Sequence, residues 1–198
     1  EWLRQINLVI AYDWIVRAVG DFAQRQRVDR AAGAGAQRSE IIGVIVGRAP
    51  GRALAEADVF ITNFPPQVRQ RLGVSYADLA PLNARLIYAS FTGYGERGEE
   101  ANKPGFDSNA WWARSGLMDL VRADEHTTPA RSVAGMGDHP CAMALYGAIV
   151  TALYQRERTG KGSEVKSNLM ANGVWASSVL AQAKLVGAEF QPRRPRER

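Results

Sequence analysis

From residue 52 onward, short apolar runs alternate with stretches of helical pattern, and that alternation leaves few folds open to the chain. Asp58-Val59-Phe60-Ile61-Thr62 reads as a short buried strand, and Leu86-Ile87-Tyr88-Ala89-Ser90-Phe91 is the clearest strand of all. A third is expected over residues 165–169. Between them the pattern turns helical. Residues 52–57 look like a helix end, residues 67–72 a brief helix stopped by Gly73, and Ser75 caps another through Leu82. Residues 107–118 are expected to be helical, and residues 123–129 to form a polar loop. A long helix covers residues 141–156, and a final one residues 172–186, with Trp175, Val179 and Leu180 on its apolar face. Strands separated by helices predict an α/β fold in which helices pack on a mostly parallel sheet. Such sheets bind ligands in the crevice beyond the carboxyl ends of their strands. The loops after Ile61 and Phe91 lie at such ends, and the loop carrying Asp138 is expected to join the same rim.

Residues 1–51 have a different character. Residues 1–22 can be read as an amphipathic helix with Leu3, Ile6, Ile10, Trp14 and Val16 inward, and residues 41–46 as a strand. The Arg/Gln-rich and Ala/Gly-rich pieces between them carry little periodicity. Residues 191–198 are basic and Pro/Arg-rich, like the start of a linker. The chain therefore divides into a poorly determined segment 1–51, a core 52–190 and the linker start 191–198.

Composition narrows the function classes. A length of 198 residues supports one domain with a real core. The net charge of +5 suits a phosphate-bearing ligand, and the aromatic residues do not interleave with the terminal arginine clusters as in a single-strand platform. Nucleic acid is not an expected partner. The apolar stretch 7–19 is broken by Asp13 and Arg17 and is too short for a membrane span. One cysteine, Cys141, allows no internal disulfide and fits a reducing compartment, so the expected location is the cytoplasm.

The stretch Gly135-Met136-Gly137-Asp138-His139-Pro140 opens the long helix. Asp138 stands where an N-cap belongs, with Pro140 in the first turn behind it. A carboxylate there feels the positive end of the helix, which favours its ionised form. By position alone, Asp138 is either a helix cap or a carboxylate held charged for nucleophilic attack.

Six segments in order resemble the family III CoA-transferases, the group of formyl-CoA transferase and the carnitine CoA-transferases. They are Glu56-Ala57-Asp58-Val59-Phe60-Ile61-Thr62-Asn63-Phe64; Arg71-Leu72-Gly73; residues 86–95, ending Thr92-Gly93-Tyr94-Gly95; Lys103-Pro104-Gly105-Phe106-Asp107; Gly135-Met136-Gly137-Asp138; and Arg158-Thr159-Gly160-Lys161-Gly162. The resemblance runs from about Ala53 to the C-terminus and implies a partial Rossmann-like large domain. It also implies that Asp138 is the nucleophile of CoA transfer between an acyl-CoA and a carboxylic acid, through aspartyl anhydride and aspartyl-CoA thioester intermediates. Asn63, Phe64 and Arg71 match positions lining the CoA site, and Lys103 is placed to reach the nucleotide. Read without the resemblance, these four are a turn-forming Asn, a core Phe, a solvated helix Arg and a solvated Lys. The resemblance implies coenzyme A thioester as substrate, no prosthetic group, no metal and a homodimer. The related racemases carry a histidine directly before the aspartate of the Gly-x-Asp segment. Phe106 stands there and cannot exchange a proton, which disfavours racemisation. The segments around Lys103–Asp107, Trp112–Gly116 and Gly137–His139 are similar to transferases of 2-hydroxy or aryl-substituted acids.

The family's N-terminal glycine-proline turn is not recognisable in residues 1–51, and its glycine-rich closing loop and second domain have no counterpart before Arg198. Two readings follow: a CoA-transferase or a fragment of one, and a non-catalytic remnant that at most binds CoA.

Overall fold

The computed structural model describes residues 8–11, 54–55 and 57–190, the first of these by backbone alone. Four strands form one sheet in the order β1 (Leu8–Ala11), β2 (Val59–Thr62), β3 (Ile87–Thr92) and β4 (Ser163–Asn168). β2 pairs in parallel with both β1 and β3, Val59 standing opposite Leu8 on one side and Ile87 on the other. Gly162 N–H donates to Ala84 C=O at 2.8 Å and Met170 N–H to Gly93 C=O at 3.0 Å, so β4 runs beside β3 in the same direction.

The strand β1 corrects the helix expected over residues 1–22. Leu8-Val9-Ile10-Ala11 is extended, because Val9 and Ile10 are β-branched and β2 offers an edge for their backbone groups. The strand expected over residues 41–46 and the linker over 191–198 lie outside the described residues.

The described residues fall into two compact units, one drawn from Glu1–Phe91 and Gly147–Lys166, the other from Thr92–Tyr146 and Ser167–Arg198. In the first, β2 and β3 are buried almost throughout, as expected of parallel strands covered on both faces. Helices α1 (Pro66–Leu72) and α2 (Tyr76–Leu79) follow β2. Its core joins Leu54, Ala57, Phe60, Phe64, Val74, Leu79, Leu86 and Tyr88. Tyr88 lies 5.3 Å from the Phe60 ring and meets Tyr76 edge-on at 5.7 Å, while its hydroxyl donates to Val74 C=O at 2.9 Å. Arg156 is buried against the starts of two strands. It pairs with Asp58 at 2.8 Å and donates to the carbonyls of Asp58 at 3.4 Å and Arg85 at 3.3 Å.

In the second unit a π-helical turn, Asp107–Ala113, and the short α3 (Leu117–Leu120) replace the single helix expected over residues 107–118. The Arg114 N–H reaches back five residues to Asn109 C=O at 3.0 Å, the wide spacing that defines a π turn. Widening lets both Trp111 and Trp112 turn inward, their rings stacked at 6.0 Å. Trp112 donates its indole N–H to Ala130 C=O at 2.8 Å, so its polar edge is satisfied.

Helix α4 (Asp138–Thr159) covers the long helix expected over residues 141–156 and buries one stripe: Cys141, Leu145, Ile149, Ala152, Leu153 and Arg156, at mostly three- and four-residue spacing. The final helix differs from expectation. It is two helices, α5 (Leu169–Ala176) and α6 (Ser178–Leu185), broken at Ser177. The face that packs is Leu169, Gly173 and Ser177, whereas Trp175 and Val179 are 76% and 80% exposed and Leu180 is exposed too. Gly173 explains the choice. A Cβ there would stand 2.5 Å from Trp111 C=O, so the helix backbone comes close only on its small-residue side.

Candidate active site

In the second unit the turn before α4 is built on two glycines. Gly135 has φ +79°, a left-handed conformation that favours glycine, and its carbonyl accepts the His139 N–H at 3.0 Å. Gly137 is buried against the Trp111 side chain: a Cβ at Gly137 would lie 2.6 Å from Trp111 Cγ. The backbone thus passes over the indole at a distance only glycine permits. Asp107, on the π turn, accepts the Gly135 N–H at 2.7 Å, although the two are 28 residues apart in the chain.

Asp138 is exposed and is the first residue of α4, inside the first turn rather than at the cap position expected for it. Among the described residues its carboxylate takes part in no hydrogen bond. The expectation that a cap would favour its ionised form is also corrected. Partial desolvation of the carboxyl, and then the nearby Asp107 charge, hold Asp138 above the ordinary Asp range, while His139 pulls the other way. Cys141 is fully buried, and burial, reinforced by Asp138, pushes its thiol up to about 12, so it is no nucleophile at neutral pH.

Lys103, expected at the nucleotide, lies in the same unit as Asp138 and is exposed. Its ammonium is 3.2 Å from Glu100, which Arg114 also grips with both guanidinium nitrogens at 2.8 Å. Those bonds, Arg114's first and Lys103's second, lower the Glu100 pKa. Arg114 in turn stands over the Tyr94 ring at 5.7 Å.

Asn63, Phe64 and Arg71 belong to the first unit, Asn63 and Phe64 directly after β2 and Arg71 in α1. Asn63 is half-buried in the turn. The Phe64 side chain is 6% exposed and sits in the core, leaving little of its ring for a ligand. The turn is held by the Phe64 N–H donating to Thr62 Oγ1 at 3.2 Å and by Arg69 Nε donating to Phe64 C=O at 2.8 Å. Arg71 is exposed in the last turn of α1, beside the negative end of the helix. Sequence reasoning passes over Arg69, the buried arginine of this turn, and Asp107. A buried and a solvated arginine two residues apart look alike in a sequence, and no short-range pattern joins Asp107 to Gly135.

Among the described residues, no cluster of His, Cys, Asp and Glu could hold a metal ion, and no helix is long and apolar enough to cross a membrane.

Comparison with known proteins gives a consistent result. Residues 49–198 match the family model for CoA-transferase family III. The chain is 34% identical over 139 residues to the (R)-2-hydroxy-4-methylpentanoate CoA-transferase of Clostridioides difficile, covering 70% of this chain and 35% of the relative. It is 35% identical over 130 residues to the cinnamoyl-CoA:phenyllactate CoA-transferase of Clostridium sporogenes, covering 66% of this chain and 31% of that protein. The chain thus spans about a third of the length of these curated relatives. Its fold matches the crystal structure of a CAIB/BAIF family protein from Brucella suis with a TM-score of 0.64 and 31% identity, over 72% of this chain and 37% of the other.

Proposed function

The chain belongs to CoA-transferase family III, and from that premise we propose that it serves the transfer of coenzyme A between an acyl-CoA and a carboxylic acid, with Asp138 as nucleophile. The observation that carries this reading is the setting of Asp138: exposed, at the start of α4, with a carboxylate committed to no hydrogen bond among the described residues. A carboxylate of raised pKa is the better nucleophile once ionised.

An Asp138 oxygen attacks the thioester carbonyl carbon, the C–S bond breaks, and CoA leaves as thiolate from a mixed anhydride. The thiolate attacks the aspartyl carbonyl, giving aspartyl-CoA thioester and releasing the donor acid as carboxylate. The acceptor carboxylate attacks that thioester to form a second anhydride and thiolate. Thiolate attack on the acceptor's acyl carbon then yields the new acyl-CoA and restores Asp138. No proton is gained or lost in the cycle. The role of stabilising the developing oxyanion is assigned to backbone N–H groups near the start of α4.

By the family's pattern, the proposed phosphate partners are Arg71 in the first unit and Lys103 in the second, and Asn63 and Phe64 form the turn after β2 in the first. Lys103 would exchange Glu100 for the ligand. The acids fall in the 2-hydroxy or aryl-substituted class, in keeping with the names of the relatives above. Phe106, 64% exposed beside Asp107, cannot exchange a proton and so favours transfer over racemisation. On this reading the protein holds no prosthetic group and acts in the cytoplasm as a homodimer.

The test is trapping. After incubation with phenyllactyl-CoA and hydroxylamine, peptide mass spectrometry should find a hydroxamate at Asp138. An unmodified Asp138 peptide defeats the transferase reading and leaves a remnant that at most binds CoA, which calorimetry with CoA would reveal.

A further inference from the structure

Asp107 opens the π turn, where an acidic residue ordinarily serves its own helix. Here that local task has gone elsewhere: Asn109 Oδ1 accepts the Phe106 N–H at 2.7 Å. The Asp107 carboxylate reaches across instead and accepts the Gly135 N–H at 2.7 Å. Gly135 passes the constraint on, because its carbonyl accepts the His139 N–H at 3.0 Å. Asp138 therefore lies between two residues whose backbones are tied, one to a distant carboxylate and the other to the first. The Trp111 side chain, on the same π turn, closes the remaining side against Gly137.

We propose that Asp107 is a positioning residue for Asp138: its carboxylate pins the Gly135 amide and so fixes the turn from which the nucleophile enters α4. The inference rests on the reading of Asp138 as nucleophile. A purely structural carboxylate could stand anywhere that frees the neighbourhood of the nucleophile from a second negative charge. This one stands close enough to raise the Asp138 pKa, second only to desolvation. The titratable groups bearing on Asp138 are thus Asp107 from the π turn and His139 and Cys141 from its own helix.

The test compares Asp107→Asn, whose amide oxygen can still accept from Gly135, with Asp107→Ala, which cannot. In the hydroxylamine assay, Asp107→Ala should slow labelling of Asp138 by about 10- to 100-fold, the scale of a misplacement near 1 Å. Asp107→Asn should keep most of the rate, with the pH midpoint of labelling moved down because the like charge is gone. A second readout needs no turnover and no stable alanine variant. In the wild-type protein the Gly135 amide, held by the Asp107 carboxylate at 2.7 Å, should be protected from hydrogen exchange. Wild-type rate and wild-type pH midpoint in both variants would overturn the inference. If the wild-type chain itself takes no label, the transferase reading fails, and the Gly135 amide decides alone: protection from exchange upholds the tether, and free exchange removes it.

Discussion

Replacing Gly137 by alanine probes the contact on which the turn before Asp138 rests. The added Cβ would meet three Trp111 side-chain atoms at 2.6, 2.7 and 2.8 Å, where carbon atoms settle at about 3.5–4.0 Å. Something must move by about 1 Å. Trp111 is 7% exposed, its carbonyl accepts the Ser115 hydroxyl, and the same carbonyl already abuts Gly173. With the indole buried and stacked on Trp112, the cost belongs near the top of the overpacking range, about 3 kcal/mol. For a chain of this size that lowers Tm by roughly 6–12 °C. The shift falls on the residue before Asp138, so labelling of Asp138 should also slow, by about 100-fold. Gly147→Ala is the control. That position lies in α4 with nothing within 4 Å of the added carbon, and removing a helical glycine there should stabilise by about 0.5–1 kcal/mol. Thermal melts of the two variants should therefore move in opposite directions. If Gly137→Ala melts at or above the wild type, the tight passage over Trp111 is not real.

Asp138→Asn should abolish transfer and, at neutral pH, raise Tm. Because the folded-state pKa is raised, the ionised carboxylate weighs on the native state above that pKa, and the burden disappears as pH falls below the unfolded Asp value of about 3.9. Melts across pH should show the two proteins converging in acid; a difference that widens there would contradict this. Arg156→Ala removes the ion pair with Asp58 and two hydrogen bonds to strand-end carbonyls. The loss should be about 3 kcal/mol, at the low end for a buried pair because Asp58 keeps a 25% exposed side chain, and is read as a fall in the urea midpoint. Cys141, with its thiol pushed up to about 12, should resist iodoacetamide in the folded protein at pH 8 and react fully in urea.

Much of the sheet is legible in the sequence because β2 and β3 are runs of buried, β-favouring residues whose composition and environment agree. Helix α4 is legible for the same kind of reason, its buried residues recurring at the helical period. The π turn is not legible, since the extra residue per turn shows only in where two adjacent tryptophans can both point inward. Nor is the packing side of α5, where backbone approach to Trp111 outweighs the burial of Trp175. In the site, Asp138 can be found from the glycines and the helix that follow one another along the chain. Its elevated pKa cannot, because partial burial and then the Asp107 charge, 31 residues earlier in the chain, arise only in the folded structure.

The packing of α5 and α6 inverts the usual relation between hydrophobicity and mutational tolerance. Within this chain Trp175 and Val179 can become glutamate or lysine at little cost, since their side chains already stand in solvent. Gly173, which contributes no side chain at all, accepts not even a methyl group. A substitution map that ranked positions by residue size would therefore read this segment backwards, and the smallest residues would mark where it cannot change.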